Sequence, residues 1–129
     1  MATTTLTTDE FEKTVLGDGI VLVDWWADWC GPCKAFAPIY ETASNENPDI
    51  TFAKVDTETE QQLSASAGIS SIPTLMAFRE GVLVFAQPGA LPAPALNQVI
   101  EAVRGLDMQV VHAQIAAQSD AQAGTQPDA

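Results

Sequence analysis

The stretch IVLVDWWADWCGPCK, residues 20–34, decides the fold of this chain of 129 residues. It begins with an apolar run that is typical of a strand buried on both faces of a sheet. It ends with Cys30 and Cys33, the only two cysteines in the chain. A Cys-x-x-Cys pair directly after a strand and at the start of a helix indicates a dithiol that opens and closes as a disulfide. The stretch therefore predicts a strand–helix unit with redox chemistry at its junction.

Around this unit, hydrophobic periodicity and turn residues predict further helices and strands. We expect four helices: from Thr7 or Thr8 to Leu16, from the cysteines to about Asn45, over Glu58–Ala67 and over Pro92–Arg104. The second of them should have a kink at Pro38. We expect four strands, over residues 20–26, 50–56, 74–79 and 82–87. Residues 1–6 have the composition of a loose lead-in. A strand–helix–strand unit makes parallel strands, and a hairpin at Glu80-Gly81 adds antiparallel ones. The sequence thus predicts an α/β fold whose central mixed β-sheet is flanked by helices on both faces.

The predicted organisation is one domain over residues 1–106 and a C-terminal extension over residues 107–129. From Ala113 onward the chain is rich in Ala and Gln and lacks aromatic residues and cations. Such a composition buries too little apolar surface to form a core. We therefore expect the extension to pass from frayed helix to disorder, with His112 solvated in it.

The charge of the chain limits its partners. With 17 acidic and 5 basic residues the net charge is -12, which repels nucleic acids and anionic membranes. The acidity can serve solubility alone or can also steer a basic partner, and the sequence leaves both open. The N-terminus lacks a secretory-signal pattern, and no apolar stretch approaches the about 20 residues of a membrane span. We expect a cytoplasmic protein, and a monomer.

The position of each cysteine predicts a different chemical role for its sulfur. If Cys30 opens the helix, unpaired backbone N–H groups and the helix dipole favour its thiolate and lower its pKa. That thiolate would attack a disulfide of a target protein, and Cys33, one turn on, would release the reduced target. Gly31 and Pro32 add no group that stabilises the thiolate further, which indicates a reductant rather than an oxidant. Asp24 lies inside the apolar strand, where burial would raise its pKa and let it exchange protons with Cys33.

The chain resembles the thioredoxin family over roughly residues 6–106. The residues that carry the resemblance are VDWWA at 23–27, WCGPCK at 29–34, Ala37-Pro38, Lys54-Val55-Asp56, GISSIPT at 68–74 and Gly89-Ala90-Leu91. The resemblance implies the thioredoxin fold and a protein-disulfide reductase that carries electrons and maintains cell redox balance. The redox group would be the Cys30–Cys33 disulfide itself, with no separate cofactor. The implied partners are disulfide-containing client proteins and an NADPH-dependent flavoprotein reductase.

The resemblance also assigns further residues to the site. Lys54 would modulate Asp24 from the neighbouring strand. Pro73 would follow a cis bond and lie against the dithiol, so that Ile72 can pair its main chain with a client peptide. An apolar surface around Cys30 would bind clients, and its members would be Trp29, Gly31, Pro32, Ile72, Pro73, Gly89 and Ala90.

Other functions stay open on the sequence alone. The cysteines could form an inert structural disulfide, although so short a loop would stabilise the fold little. The apolar surface could dock partners without redox turnover. Two thiolates and the distant His112 fall short of a tetrahedral metal site unless two chains share the ion, so we expect no metal. An oxidase or isomerase of a secretory compartment is disfavoured by the Gly-Pro pair and by the missing signal pattern.

Overall fold

The computed structural model of the protein describes residues 2–125, and of residues 120–125 it describes the backbone only. The elements in chain order are β1 (Thr3–Thr5), α1 (Thr8–Val15), β2 (Ile20–Trp26), α2 (Gly31–Glu46), β3 (Thr51–Asp56), α3 (Gln61–Ser66), β4 (Thr74–Arg79), β5 (Val82–Pro88), α4 (Ala93–Arg104) and α5 (Met108–Thr125). Every helix and strand predicted between residues 7 and 104 is therefore present.

The strands form one mixed sheet in the order β1-β3-β2-β4-β5. Strands β1 and β2 both run parallel to β3, while β4 pairs antiparallel with β2 and β5 antiparallel with β4. The turn between β4 and β5 has φ of 52° at Glu80 and 77° at Gly81, and two successive positive values suit a tight hairpin. The predicted mixed sheet with a hairpin at one edge is confirmed.

The two faces of the sheet bury separate apolar cores, because side chains alternate along each strand. One core joins the sheet to α2 and α4 and consists of Leu22, Phe36, Tyr40, Ala43, Ile50, Phe52, Leu75, Ala77, Leu96, Ile100 and Val103. The other joins the sheet to α1 and α3 and consists of Leu6, Val15, Val21, Val23, Trp25, Ala53, Val55 and Met76, with Phe11 and Leu63 packed against it. The prediction of helices on both faces is confirmed.

The N-terminal segment differs from its prediction. Residues 3–5 form an edge strand paired with residues 52–54 of β3, and Leu6 follows with only 4% exposure in the core. The Thr run carries no alternation of apolar and polar residues, so its strand is specified by the backbone groups that β3 offers and by the burial of Leu6.

Two helices show which local features set a helix boundary and which do not. Helix α3 begins at Gln61 rather than Glu58, because the Asp56 carboxylate accepts hydrogen bonds from the N–H groups of Glu58 at 2.9 Å and Thr59 at 3.4 Å. These bonds hold a turn in place of the predicted first helical turn. Helix α2 continues past Pro38 to Glu46, so this proline does not end the helix.

Helix α5 occupies the start of the predicted extension. The Asp107 carboxylate accepts hydrogen bonds from the N–H groups of Gln109 and Val110 at 3.0 and 3.3 Å, which is N-terminal capping. Met108 is buried, and His112 Nε2 lies 3.0 Å from Glu80 Oε1. The helix covers residues 108–125, where the sequence predicts fraying and disorder, and residues 126–129 lie outside the described residues. In the described part of the chain, none of the helices has the length and apolarity that crossing a membrane requires.

Candidate active site

The two cysteines lie at the junction between β2 and α2. The Cys30 N–H donates to the Ala27 carbonyl at 3.2 Å, and Cys30 is the N-cap residue of α2 with extended backbone, φ -86° and ψ 112°. Cys30 and Cys33 form a disulfide with their Cα atoms 5.2 Å apart. The Cys30 Sγ accepts a hydrogen bond from the Cys33 N–H at 3.2 Å. This sulfur therefore lies at the positive end of the α2 dipole, as predicted for a group that must carry negative charge.

The two sulfurs differ in their access to the surface. A surface depression of about 400 Å³ is lined by Cys30 but not by Cys33, together with Trp29, Gly31, Pro32, Thr57, Ser64, Ile69, Ser70, Ser71 and Ile72. Both cysteines are largely buried, with 4% and 3% exposure. A reactant that enters the depression thus meets Cys30 first.

Asp24 is buried in the sheet, on the face covered by α2. It is 1% exposed, and neither carboxylate oxygen has a hydrogen-bond partner among the described residues. The alternation along β2 places its side chain on the same face as Leu22, and therefore beneath the helix that carries the cysteines. Burial raises the pKa of Asp24 to about 7, against an opposing effect of Lys54, whose positive charge lowers it. At neutral pH this carboxyl can accept or give a proton.

Lys54 occupies the position on β3 directly opposite Asp24 on β2. Its Nζ lies 4.8 Å from the centre of the Trp26 ring, a cation–π distance. Trp26 in turn packs against the cluster of Ala27, Cys30 and Cys33. The lysine, the carboxyl and the dithiol thus share one face of the sheet.

The segment before β4 closes the site from the other side. The Ile72–Pro73 peptide bond is cis, as the family resemblance implies, and Pro73 is fully buried. The Ile72 carbonyl oxygen lies 3.8 Å from Cys30 Sγ. The Gly89 N–H donates to the Pro73 carbonyl at 2.8 Å, which brings the β5–α4 connection to the site. Gly89 has φ 105°, a backbone conformation that favours glycine.

The predicted apolar surface is partly assembled by these contacts. Trp29, Gly31, Pro32 and Ile72 line the same depression as Cys30. Gly89 is joined to the site by its bond to Pro73 but does not line the depression, and Ala90 is exposed and does not line it either. Their role in client binding stays a prediction.

Trp29 is the most exposed aromatic side chain at the site, and a hydrogen bond from its indole N–H fixes its position. It is 69% exposed, yet its indole N–H donates to Glu58 Oε1 at 2.6 Å. Glu58 belongs to the turn that the Asp56 carboxylate holds in place. Glu58 is not among the site residues that the sequence predicts.

Five further residues of the depression were also missed, namely Thr57, Ser64, Ile69, Ser70 and Ser71. Thr57 follows β3 directly, and both its N–H and its hydroxyl donate to the Trp26 carbonyl, at 2.8 and 3.0 Å. The carboxyl ends of parallel strands meet at one edge of a sheet, where α/β proteins bind ligands. Thr57 could therefore have been found from its place after β3, whereas the small residues of the loop carry no such signal.

The described residues contain no group of three or more His, Cys, Asp or Glu side chains that could hold a metal ion. The arrangement can carry out thiol–disulfide exchange at the dithiol, and beneath it lies a buried carboxyl of near-neutral pKa that can exchange protons.

Comparison with known proteins agrees with this geometry. The family model named Thioredoxin matches residues 2–102. A protein of Streptomyces coelicolor named "Putative thioredoxin 2" is 55% identical over 123 residues, which cover 95% of this chain and 91% of that protein. Thioredoxin of Bacillus subtilis is 36% identical over 94 residues, covering 72% of this chain and 90% of the relative. The solved structure of Plasmodium falciparum thioredoxin has a TM-score of 0.72 and 35% identity, and the match covers 77% of this chain and 97% of that one.

Proposed function

This chain belongs to the thioredoxin family and is a thiol–disulfide oxidoreductase, and on that premise we propose that it reduces client proteins with Cys30 as the attacking sulfur and Cys33 as the resolving one. The observation that carries the assignment is the placement of Cys30 Sγ at the N-terminus of α2, on the wall of the depression, with Cys33 behind it.

In the first step the Cys30 thiolate attacks one sulfur of a client disulfide. A bond forms between Cys30 and that sulfur, the client S–S bond breaks, and the second client sulfur leaves as a thiolate. The Cys33 N–H, which donates to Cys30 Sγ at 3.2 Å, stabilises negative charge on this sulfur, and so does the helix dipole.

In the second step the Cys33 thiolate attacks Cys30 Sγ. The Cys30–Cys33 disulfide forms, the mixed disulfide breaks, and the client leaves fully reduced, having received two electrons from the dithiol. The disulfide of the described structure is the product state of this step. An external reductant must then return two electrons, and we propose an NADPH-dependent flavoprotein thioredoxin reductase for that task.

Asp24 is proposed as the proton acceptor for Cys33. The carboxyl lies beneath α2 with a pKa of about 7, so that near neutral pH it can take the Cys33 proton, directly or through water, before the second step. Lys54 would adjust this carboxyl by favouring its ionised form.

The clients are proposed to bind the uncharged depression beside Cys30, with Trp29 and Ile72 as its main apolar contacts. The Gly31-Pro32 pair supports a reducing role, since neither residue adds a group that overstabilises the thiolate. A reductant of this kind suits a reducing compartment, and the cytoplasm and a monomeric state stay our predictions.

Single-cysteine variants test the two roles. Cys33→Ser should accumulate a covalent adduct with insulin, because the resolving thiol is missing, and Cys30→Ser should form none. Mass spectrometry of the mixture measures the adduct. An adduct on Cys30→Ser alone would reverse the assignment.

Substitution of both cysteines by Ser separates catalysis from docking. The double variant should lose all reduction of insulin disulfides. If it still replaces the native protein in a cell that depends on it, the surface acts as a redox-independent docking module. The equilibrium of the dithiol against glutathione buffers of known poise then measures whether it is a reductant or an oxidant.

The proton role has its own test. Asp24→Asn should slow release of the mixed disulfide at neutral pH and remove the part of its pH dependence that is centred near pH 7. Asp28→Asn, which removes an exposed carboxyl near the dithiol, is the matched control. Equal rates and pH profiles for Asp24→Asn and the native protein would exclude Asp24 from the reaction.

A further inference from the structure

The depression beside Cys30 continues past Ile72. Its wall is formed by Ile69, Ser70 and Ser71, and the same three residues line a second depression of about 290 Å³. The second depression lies over the β4–β5 hairpin, and its other lining residues are Ala67, Gly68, Thr74, Met76, Leu83, Ala86, Gln87 and Pro88.

Beyond the end of α3, this face of the edge strand β5 is open to solvent, and Leu83 and Ala86 are exposed on it. The helix ends at Ser66, and Gly68 then turns the chain away with φ 74°. Met76 belongs to the core on the α1 and α3 face, and it is paired in register with Ala86 of the edge strand β5. The second depression is therefore an open patch on that face.

The patch is uncharged, and it mixes apolar side chains with the polar ones of Ser70, Ser71, Thr74 and Gln87. None of the residues that line either depression carries a charge, in a chain with 17 acidic and 5 basic residues. Leu83 is 47% exposed at the edge. Charged residues are depleted from the centres of protein interfaces. One uncharged surface thus runs from the reactive sulfur to the edge strand.

Resting on the proposed reduction of protein disulfides, we propose that the second depression is a client subsite that takes an apolar side chain, such as Leu or Phe, of an extended client segment whose cysteine reacts with Cys30. The two depressions share a wall, so a chain whose sulfur lies in the first can run over Ile69–Ser71 into the second. The shared wall is three residues long, Ile69–Ser71. An extended client segment that passes alongside it needs about as many residues of its own, so the apolar side chain is sought roughly three to five residues from the cysteine.

The test uses short peptides with one cysteine, linked through a disulfide to the chromogenic 2-nitro-5-thiobenzoate group. Each peptide of one series carries Leu at a single position, scanned over roughly three to five residues on either side of the cysteine, and the reference peptide carries Ser there. The full chain is reduced beforehand and mixed with each peptide, and release of the chromophore gives a second-order rate constant. Each protein's rates are divided by its own rate on 5,5′-dithiobis(2-nitrobenzoate), a disulfide too small to reach the subsite.

The native protein should prefer the best Leu peptide over the Ser peptide by roughly tenfold, the effect of partly burying one such side chain. Leu83→Glu and Ala86→Glu should each reduce that ratio toward one. Val110→Glu adds the same charge at a 50% exposed site on α5 that lines neither depression, and it should keep the preference.

Equal rates for Leu and Ser peptides at every position, or a preference that survives both β5 substitutions, would overturn the subsite. Reaction without preference leaves the proposed function intact, whereas failure of the native protein to react with any peptide or with insulin defeats the function itself. Sedimentation equilibrium gives a further outcome. A native dimer that Leu83→Glu converts to monomers would assign the patch to a second copy of the chain and overturn the client subsite.

Discussion

Replacing Asp24 with Asn should change how the stability of the protein depends on pH. Burial raises the pKa of Asp24 from 3.8 to about 7 in the folded chain. Below pH 3.8 the carboxyl is protonated in the folded and the unfolded state alike. Between pH 3.8 and about 7 the unfolded chain has released this proton and the folded chain has kept it, so stability falls as the pH rises. Well above pH 7 the carboxyl is ionised in both the folded and the unfolded state, and no further stability is lost.

The size of the effect follows from the shift. Each unit of pKa difference corresponds to about 1.4 kcal/mol, so the native protein should lose roughly 3 to 4 kcal/mol through this one group on going from pH 4 to pH 8. Asn cannot ionise, and its amide replaces the carboxyl at nearly the same volume. The Asn variant should therefore escape the loss and should be the more stable protein at pH 8.

Urea unfolding of the disulfide form of both proteins at pH 4 and pH 8 measures the prediction. The free energy of unfolding of the variant minus that of the native protein should rise by roughly 3 to 4 kcal/mol between the two pH values. Taking this difference cancels the titration of all other groups. Asp28→Asn makes the same substitution at an exposed carboxyl and is the matched control. A difference that stays constant with pH would refute the buried, unpaired state of Asp24.

Three further substitutions address neighbouring contacts. Lys54→Gln removes the positive charge that lowers the pKa of Asp24, so the midpoint of the carboxyl titration, followed by infrared spectroscopy, should move above pH 7; an unmoved midpoint would contradict the pairing. Tyr40→Phe removes the hydrogen bond from the Tyr40 hydroxyl to the Ala53 carbonyl at 2.8 Å and should cost about 1 kcal/mol in urea unfolding, and a native-like midpoint would show that bond to be unimportant. Arg79→Leu removes the three hydrogen bonds that the Arg79 guanidinium donates to the carbonyls of Val103, Arg104 and Leu106, at and just beyond the end of α4, and should cost about 2 kcal/mol in urea unfolding. Arg79→Lys keeps the positive charge there and should recover part of that loss.

Much of the fold could be predicted because local pattern and global structure agree. The apolar run 20–26 is the central strand β2, which is paired on both sides. The hairpin at Glu80-Gly81 is where the turn residues place it. Helix α4 keeps one apolar face, with Leu96, Ile100 and Val103 buried as their spacing indicates.

The failures share one cause, which is hydrogen bonding that hydrophobic periodicity does not reveal, whether to a distant strand or to the next turn of the chain. Strand β1 exists because β3 offers it an edge, and nothing in the Thr run signals this. Helix α3 begins late because the Asp56 carboxylate forms hydrogen bonds with the next residues. Sequence periodicity reports which face of an element is buried, and it does not report such partners.

The residues of the site likewise separate into those that local sequence could predict and those that it could not. The cysteines, Gly31, Pro32 and Trp29 could be predicted as one group because they are consecutive, and all of them except Cys33 line the depression. Glu58 was missed because its contact with Trp29 crosses 29 residues of chain. The small residues of the loop before Ile72 were missed because Ser and Gly carry little information on their own.

The amino-acid sequence by itself determined the chemistry of this protein: two thiols one helical turn apart, after an apolar strand, with an acid inside that strand. Only the tertiary structure decided that one sulfur borders a surface depression, that the Ile72 carbonyl lies 3.8 Å from it across 42 residues of chain, and that the carboxyl of Asp24 is left without a hydrogen-bond partner among the described residues. The reason is that local pattern specifies which groups an element carries, whereas burial and proximity depend on which elements pack against it.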